Sequence, residues 1–126
     1  MEDNCRIVPS AIEKDGKVIG VRIPVINKAL YFGEISEKEM TWDAAMQYAA
    51  DKDRKLPTLK EAHLMLYFID EIKEIAQQAG FDFRLWWWTS TRYSAYAAWL
   101  VNFDGLANAN GKYLEFSAVP LADLND

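Results

Sequence analysis

One histidine, one cysteine and a scatter of serines and acids are what this chain offers to nucleophilic or metal chemistry. His63 stands alone, so paired-histidine metal sites are excluded, and only Glu61 and Asp70 are acids near it in sequence. Ser90 and Ser94 could be counted toward a Ser-His-Asp triad, but no G-x-S-x-G turn presents either of them. Cys5 has no neighbouring base or cation pattern that would activate a thiol. The glycines are dispersed, with neither G-x-G-x-x-G nor G-x-x-x-x-G-K to cradle a phosphate. Asp104 to Glu115 has the length of a calcium loop, with Asn108 and Asn110 at oxygen-donor positions. Leu106 replaces the third-position donor and Ala109 the required glycine, so that reading fails. Asp104 and Asn102 leave only a looser oxygen pair. The expectation is a chain with no catalytic residue, no metal and no cofactor.

Aromatic residues are concentrated where chemistry is not. The stretch Leu85 to Trp99 holds Trp86, Trp87, Trp88 and Trp99, four of five tryptophans, with Tyr93 and Tyr96. On a pleated strand Trp86 and Trp88 point one way and Trp87 the other. Residues this large read first as core, and so does Trp99. Tyr93 and Tyr96 differ, because they sit among Ser94, Ala95 and Ala97 beside Arg92. Small residues around Tyr and Arg are the composition of adaptable binding loops. Tyrosines packed beneath a loop are the other reading, and both stand at this stage.

The chain has 126 residues, enough for a single domain over 1–126 with one core. It is 51% hydrophobic and 26% charged, which is ordinary for a globular domain. A formal net charge of -5 argues against a general nucleic-acid surface and against an anionic membrane. One cysteine rules out an intramolecular disulfide. The polar start, Met-Glu-Asp-Asn-Cys-Arg, has no apolar segment behind it, and no run reaches the length of a membrane span. A reducing compartment, the cytoplasm, or a place in a phage particle is expected.

The elements that would position the aromatics follow from local signals. Asp15-Gly16 predicts a turn, with Lys17 to Ile23 as its second strand and Pro24 as its end. Ala29 to Phe32 is a further short strand. Ser36-x-x-Glu39 and Thr41-x-Asp43 compete as helix starts, and the face Trp42, Ala45, Met46, Ala49 places the first helix at about 41–52. Thr58 and Glu61 form a capping box, and a stripe from Ala62 to Ala76 predicts one long second helix ending near Ala79, before Gly80. Trp86 to Ser90 and Trp99 to Phe103 read as strands. Asn110-Gly111 predicts a hairpin turn, with Lys112 to Val119 returning. Strands, two helices, then strands indicate an α+β domain.

Several of these residues occur in an order that resembles a known fold. Thr41-Trp42-Asp43-Ala44-Ala45 comes first, then Arg54-Lys55-Leu56-Pro57-Thr58-Leu59-Lys60-Glu61, then Trp88-Thr89-Ser90-Thr91. Ala98-Trp99-Leu100-Val101-Asn102-Phe103-Asp104-Gly105 and a terminal Val119-Pro120-Leu121 complete the series. This set, over about residues 41–121, resembles the C-type-lectin-like fold. More narrowly it is similar to DUF1566-type bacterial and phage domains, including the variable proteins of diversity-generating retroelements of gut bacteria and their phages. The resemblance implies paired N- and C-terminal strands, two helices flanking a small antiparallel sheet, and an irregular segment that carries ligand contacts. It implies Trp88, Trp99 and Phe103 as scaffold. It implies a displayed face made of Arg92, Tyr93, Ser94, Tyr96, Ala97 and Leu100, with Asn102, Leu106, Asn108, Asn110, Tyr113 and Glu115. Diversification in that family acts on template Asn codons, from which Ser, Ala, Tyr, Leu and Asn are all reachable. The chain departs from the family at its end, where Ala118-Val119-Pro120-Leu121 lacks the Arg of Val-Arg-Pro-Val. The calcium-linked sugar motifs of animal lectins (Glu-Pro-Asn or Gln-Pro-Asp, and Trp-Asn-Asp) are missing too, so calcium-dependent sugar binding is not implied.

Together these readings predict a non-enzymatic recognition domain whose partner is a protein or glycan surface. The alternative is a structural or assembly domain that uses the same aromatics against a partner chain or a second copy.

Overall fold

The computed structural model describes residues 7–82, 86–102 and 106–124. Cys5, Phe103 and Asp104, each weighed above, lie outside these. The described residues form an α+β domain of two small antiparallel sheets and three α-helices. The first sheet has the order β1-β2-β3-β7, from Ser10–Lys14, Lys17–Ile23, Lys28–Tyr31 and Ala122–Asp123. The second has the order β4-β5-β6, from Trp86–Arg92, Ala97–Asn102 and Ala107–Gly111.

Local chemistry explains the beginnings and ends. Asp15 and Gly16 take φ of 54° and 80°, the left-handed pair that a two-residue hairpin turn requires. Pro24 ends β2 and opens a 3-10 turn over Pro24–Ile26. Helix α1, Trp42–Asp51, is capped by Thr41, whose hydroxyl accepts from Ala44 N–H. The competing start at Ser36 is not used. Ser36 is buried, and its hydroxyl accepts from Ala118 N–H at 2.9 Å, which ties it to the C-terminal segment. Thr58 and Glu61 form the full capping box at the start of α2, Leu59–Tyr67.

The long second helix expected from the apolar stripe is two helices. Phe68, at φ -106° and ψ 25°, breaks it, and α3 resumes over Ile69–Gln78. Neither Gly nor Pro marks the break. Its basis is tertiary: α2 packs on β4 and β5, whereas α3 packs on β2 and β1. The expected pairing of the N- and C-terminal strands is not made: β7 joins the N-terminal sheet through β3, because β2 already lies between β1 and β3, and β1 stands at the opposite edge.

Two apolar clusters sit on the two faces of β4 and β5. Trp87 and Val101 face the larger one, with Val21, Ile23, Leu30, Met65 and Ile72. Trp88, Ala98 and Leu100 face the other, against Trp42, Ala45, Ala49 and Leu56 of and beside α1. The pleat therefore splits adjacent tryptophans between two cores, as alternation requires. Trp86 packs at the margin of the second cluster. Trp99 departs from its expected core role: it is half-buried and belongs to neither cluster.

The hairpin at the end of the chain is shifted. Asn110 and Gly111 pair with Ala98 and Ala97, so they end a strand and do not turn it. The turn follows at Lys112 and Tyr113, closed by Leu114 N–H to Gly111 C=O at 3.0 Å. Residues 112–119 form no regular return strand. They run beside β4, where Trp88 N–H donates to Ser117 C=O at 3.0 Å and Ser117 N–H to Trp86 C=O at 3.1 Å.

Candidate functional site

The segment between β4 and β5 is presented by a distortion in β4. Trp88 pairs with Leu100 but Arg92 pairs with Ala98, so two extra residues bulge from the strand between them. Thr89, fully buried, satisfies the backbone there: its hydroxyl donates to Trp99 C=O at 2.9 Å and accepts from Thr91 N–H at 3.2 Å. Ser90 N–H donates to Pro57 C=O, and Leu59 N–H to the Thr91 hydroxyl, both at 2.8 Å. The bulge is thus fastened to the start of α2, and the chain beyond it, Tyr93 to Tyr96, turns outward.

That turn is tight and tied on both sides. Tyr93 and Ser94 N–H groups both donate to Ala97 C=O, at 2.9 and 3.1 Å, and the Ser94 hydroxyl accepts from Tyr96 N–H at 3.2 Å. Lys112 fixes its far side. Its N–H donates to Tyr96 C=O at 2.9 Å, its amine to Ala95 C=O at 3.0 Å, and its carbonyl accepts from Trp42 N–H at 3.1 Å. The Lys112 amine also lies 4.5 Å from the centre of a Trp42 ring, and the Arg92 guanidinium lies 5.8 Å from one. Such contacts contribute about 0.5–1 kcal/mol each where solvent reaches them. Trp42 is itself held by its indole N–H, which donates to Thr89 C=O at 2.9 Å. The start of α1, the β4–β5 turn and the turn after β6 are therefore one hydrogen-bonded unit.

A hollow of about 450 Å³ opens where these three meet, lined by Thr41, Asp43, Ala95, Tyr96, Lys112 and Tyr113. Tyr96 is 84% exposed and Tyr113 80%. Tyr113 reaches its place because residue 111 is glycine: a Cβ there would stand 2.5 Å from the Tyr113 ring. Tyr93 is also exposed but meets the Trp99 ring edge-on, with centroids 5.5 Å apart.

The expected displayed face is therefore only partly assembled. Tyr96 and Tyr113 share the hollow, with Arg92, Tyr93, Ser94 and half-buried Ala97 next to it in the chain. Leu106 and Asn108 are exposed at the other end of β6, and Glu115 is exposed beyond Tyr113. Leu106 is six residues from Lys112, about 20 Å along an extended strand. Asn110 is half-buried between the two ends. Two residues are not displayed at all. Leu100 is 1% exposed in the core beside α1, because its pleat position shares the Trp88 face. Asn102 is 8% exposed, and its side-chain oxygen accepts from Leu106 N–H at 3.1 Å, which fastens the start of β6. Thr41, Asp43 and Lys112 were missed by sequence reasoning. Thr41 and Asp43 carried a sufficient local explanation as cap and first-turn acid, and no local signal joined them to a turn some fifty positions on.

A larger hollow of about 600 Å³ lies between α1 and α2, floored by Met46, Ala49, Leu56 and Leu121. Four polar residues of its rim, Lys28, Arg54, Thr58 and Glu61, are engaged in holding the fold. Arg54 donates to both carboxylate oxygens of Glu34, at 3.0 and 3.2 Å, and that bond raises its pKa above the usual guanidinium value. Lys28 donates to Asp123 at 2.6 Å, where β3 meets β7, and the bond holds the Asp123 carboxyl below the usual aspartate range. Thr58 and Glu61 on the same rim are the capping box. His63 is exposed on α2. Among the described residues no three His, Cys, Asp or Glu side chains converge as a metal site. Among them, too, no helix is long and apolar enough to cross a membrane.

Compared with known proteins, the chain matches no protein-family model and no curated protein.

Proposed function

We propose that this chain is a recognition domain of C-type-lectin-like architecture, which holds a protein or glycan surface against Tyr96 and Tyr113 and performs no chemical step. The observation that carries the reading is the pairing of extreme exposure with a fixed backbone. Two tyrosines more than three-quarters exposed stand on turns tied to α1 through Lys112. Rigid aromatics with polar tips gain contact area on binding while losing little conformational entropy. Asp43 and Lys112 add one charge of each sign to the hollow, and the ring of Trp42 backs the cation. The ordered motifs from Thr41 to Leu121 support the architecture, as does the closure of the C-terminal strand onto the N-terminal sheet.

Screening the purified chain on a glycan array and on intact bacterial cells tests the reading. Binding that falls by about tenfold or more in the Tyr96→Ala/Tyr113→Ala double variant, with an unchanged unfolding curve, is the expected result. Binding indifferent to both substitutions would sink it. A display role on a phage or bacterial surface extends this proposal and has its own test in the flanking DNA. A near copy of the codons for about residues 88–118, altered at adenines and beside a reverse transcriptase, would mark a diversified face. In that case Leu100 and Asn102, both buried, should be among the least varied positions.

A further inference from the structure

The sheets of this domain have four edges, and three are closed. β4 is covered by Ser117 and Pro57, which take its outward groups. β7 is two residues long. β1 carries a bulge between Ile12 and Glu13, charges at Glu13 and Lys14, and an Arg22 guanidinium donating to Ala11 C=O at 2.9 Å. Short strands, bulges and charges are the devices that keep strand edges from pairing. The fourth edge, β6, has none of them: Ala107-Asn108-Ala109-Asn110-Gly111 is uncharged, in regular register with β5, and among the described residues packs extensively on β5 alone.

The ladder shows which of its backbone groups face outward. Asn102 N–H donates to Leu106 C=O, and Lys112 N–H to Tyr96 C=O. In an antiparallel pair such bonded positions alternate, so Leu106, Asn108, Asn110 and Lys112 turn their backbone toward β5. Ala107, Ala109 and Gly111 turn theirs away from it. Two of those outward groups are held within the chain: Ala109 N–H by the Asn108 side-chain oxygen at 2.9 Å, and Gly111 C=O by Leu114 N–H at 3.0 Å. The remaining outward donors and acceptors have no partner among the described residues.

The geometry points to a second copy of this chain as the occupant of that edge, paired antiparallel about a two-fold axis at Ala109. The spacing is self-complementary. With Ala109 opposite the partner's Ala109, Ala107 falls opposite the partner's Gly111, and outward groups meet outward groups at every step. On one face Asn108 meets the partner's Asn110, so two amides face two amides without a charge between them. Leu106, 57% exposed, comes to lie opposite the partner's Lys112. The Asn108 amide, which holds Ala109 N–H in the single copy, exchanges that bond for one across the strands. The product is a continuous six-stranded sheet that carries both tyrosine faces. A single strand pair buries little area, so the dimer belongs to the weak class.

Sedimentation velocity under reducing conditions, from about 10 µM to the 1 mM that marks weak specific association, tests this. The expected mass rises toward that of two chains. Asn108→Lys with Asn110→Lys places like charges opposite each other twice and should weaken the dimer about tenfold or more. Asn108→Lys with Asn110→Glu places opposite charges there and should restore it. Tyr96→Ala/Tyr113→Ala should leave it intact. A single-chain mass throughout overturns the inference. So does a dimer indifferent to the lysine pair, or one lost with the tyrosines. Should the lysine variant fail to fold, amide exchange in the unmodified chain decides. Gly111 N–H must slow as concentration rises while Asn108 N–H, already on β5, stays constant. Equal behaviour of the two amides overturns the pairing.

Discussion

Trp87 and Trp88 are wholly buried, whereas Tyr96, a few residues further along the same hairpin, is 84% exposed. Both sets are aromatic, and both lie on or beside the strand pair β4–β5. The tryptophans sit where the strand is regular, so the pleat sends one to each core, and the Trp88 indole N–H finds Met40 C=O at 2.9 Å. The tyrosine sits past the bulge, where hydrogen bonds to Lys112 and Ser94 fix the backbone but no second layer of described residues lies above the side chain. Burial here follows from what faces a position across the fold. Residue type says only that Tyr and Trp carry a polar handle with which either can meet water.

Truncating the buried set should do the most damage. Trp88→Ala removes a side chain that fills the core beside α1 and donates to Met40, and an aromatic-to-alanine change in a core costs about 3–5 kcal/mol. Urea unfolding should show that loss, or no cooperative transition at all. An effect below about 1 kcal/mol would mean the second cluster contributes little, and would remove the contrast. Thr58→Ala comes next. It abolishes the hydroxyl half of the capping box at 3.1 Å and should cost about 1 kcal/mol, read from the same midpoint shift. Helix α2 supports the bulge through Leu59 N–H and Thr91, so Thr58→Ala should also speed amide exchange at Leu59.

Much of this arrangement is legible without coordinates, for a physical reason. Asp15-Gly16, Thr41, the Thr58/Glu61 pair and Pro24 act through atoms two to four residues away, so their spacing carries the information. The alternation of Trp86, Trp87 and Trp88 is local in the same sense. What escapes is tertiary. Phe68 breaks a helix where packing passes from β4 and β5 to β2 and β1, and no residue at that point announces it. Asn110-Gly111 has the composition of a turn, yet β5 claims both residues as pairing partners. Leu100 and Asn102 were placed on the displayed face by resemblance, but the register with Trp88 and Trp86 turns them inward. The candidate site fares similarly. Its tyrosines stand out by composition, while Thr41, Asp43 and Lys112 join them only through bonds that span the fold.

The displayed set should behave in the opposite way to the tryptophans. Tyr96→Ala and Tyr113→Ala remove side chains with almost no buried contact, so each should shift stability by less than about 0.5 kcal/mol. A loss comparable to that of Trp88→Ala would make the tyrosines core and undo the distinction.

The smallest expected change in stability separates the ring from the backbone that aims it. Gly111→Ala adds one methyl at a position whose φ is not left-handed, so the backbone accepts it, and alanine costs less chain entropy in a strand than glycine. The new Cβ would stand 2.5 Å from the Tyr113 ring, and an exposed ring can swing away at little cost. The two terms oppose each other, so the unfolding midpoint should barely move. Tyr113, however, would leave the hollow. If recognition depends on where the ring is held, Gly111→Ala should weaken binding nearly as much as Tyr113→Ala while leaving stability alone. Full binding in Gly111→Ala beside lost binding in Tyr113→Ala would instead show that the ring finds its ligand from any rotamer, and that the glycine serves the strand.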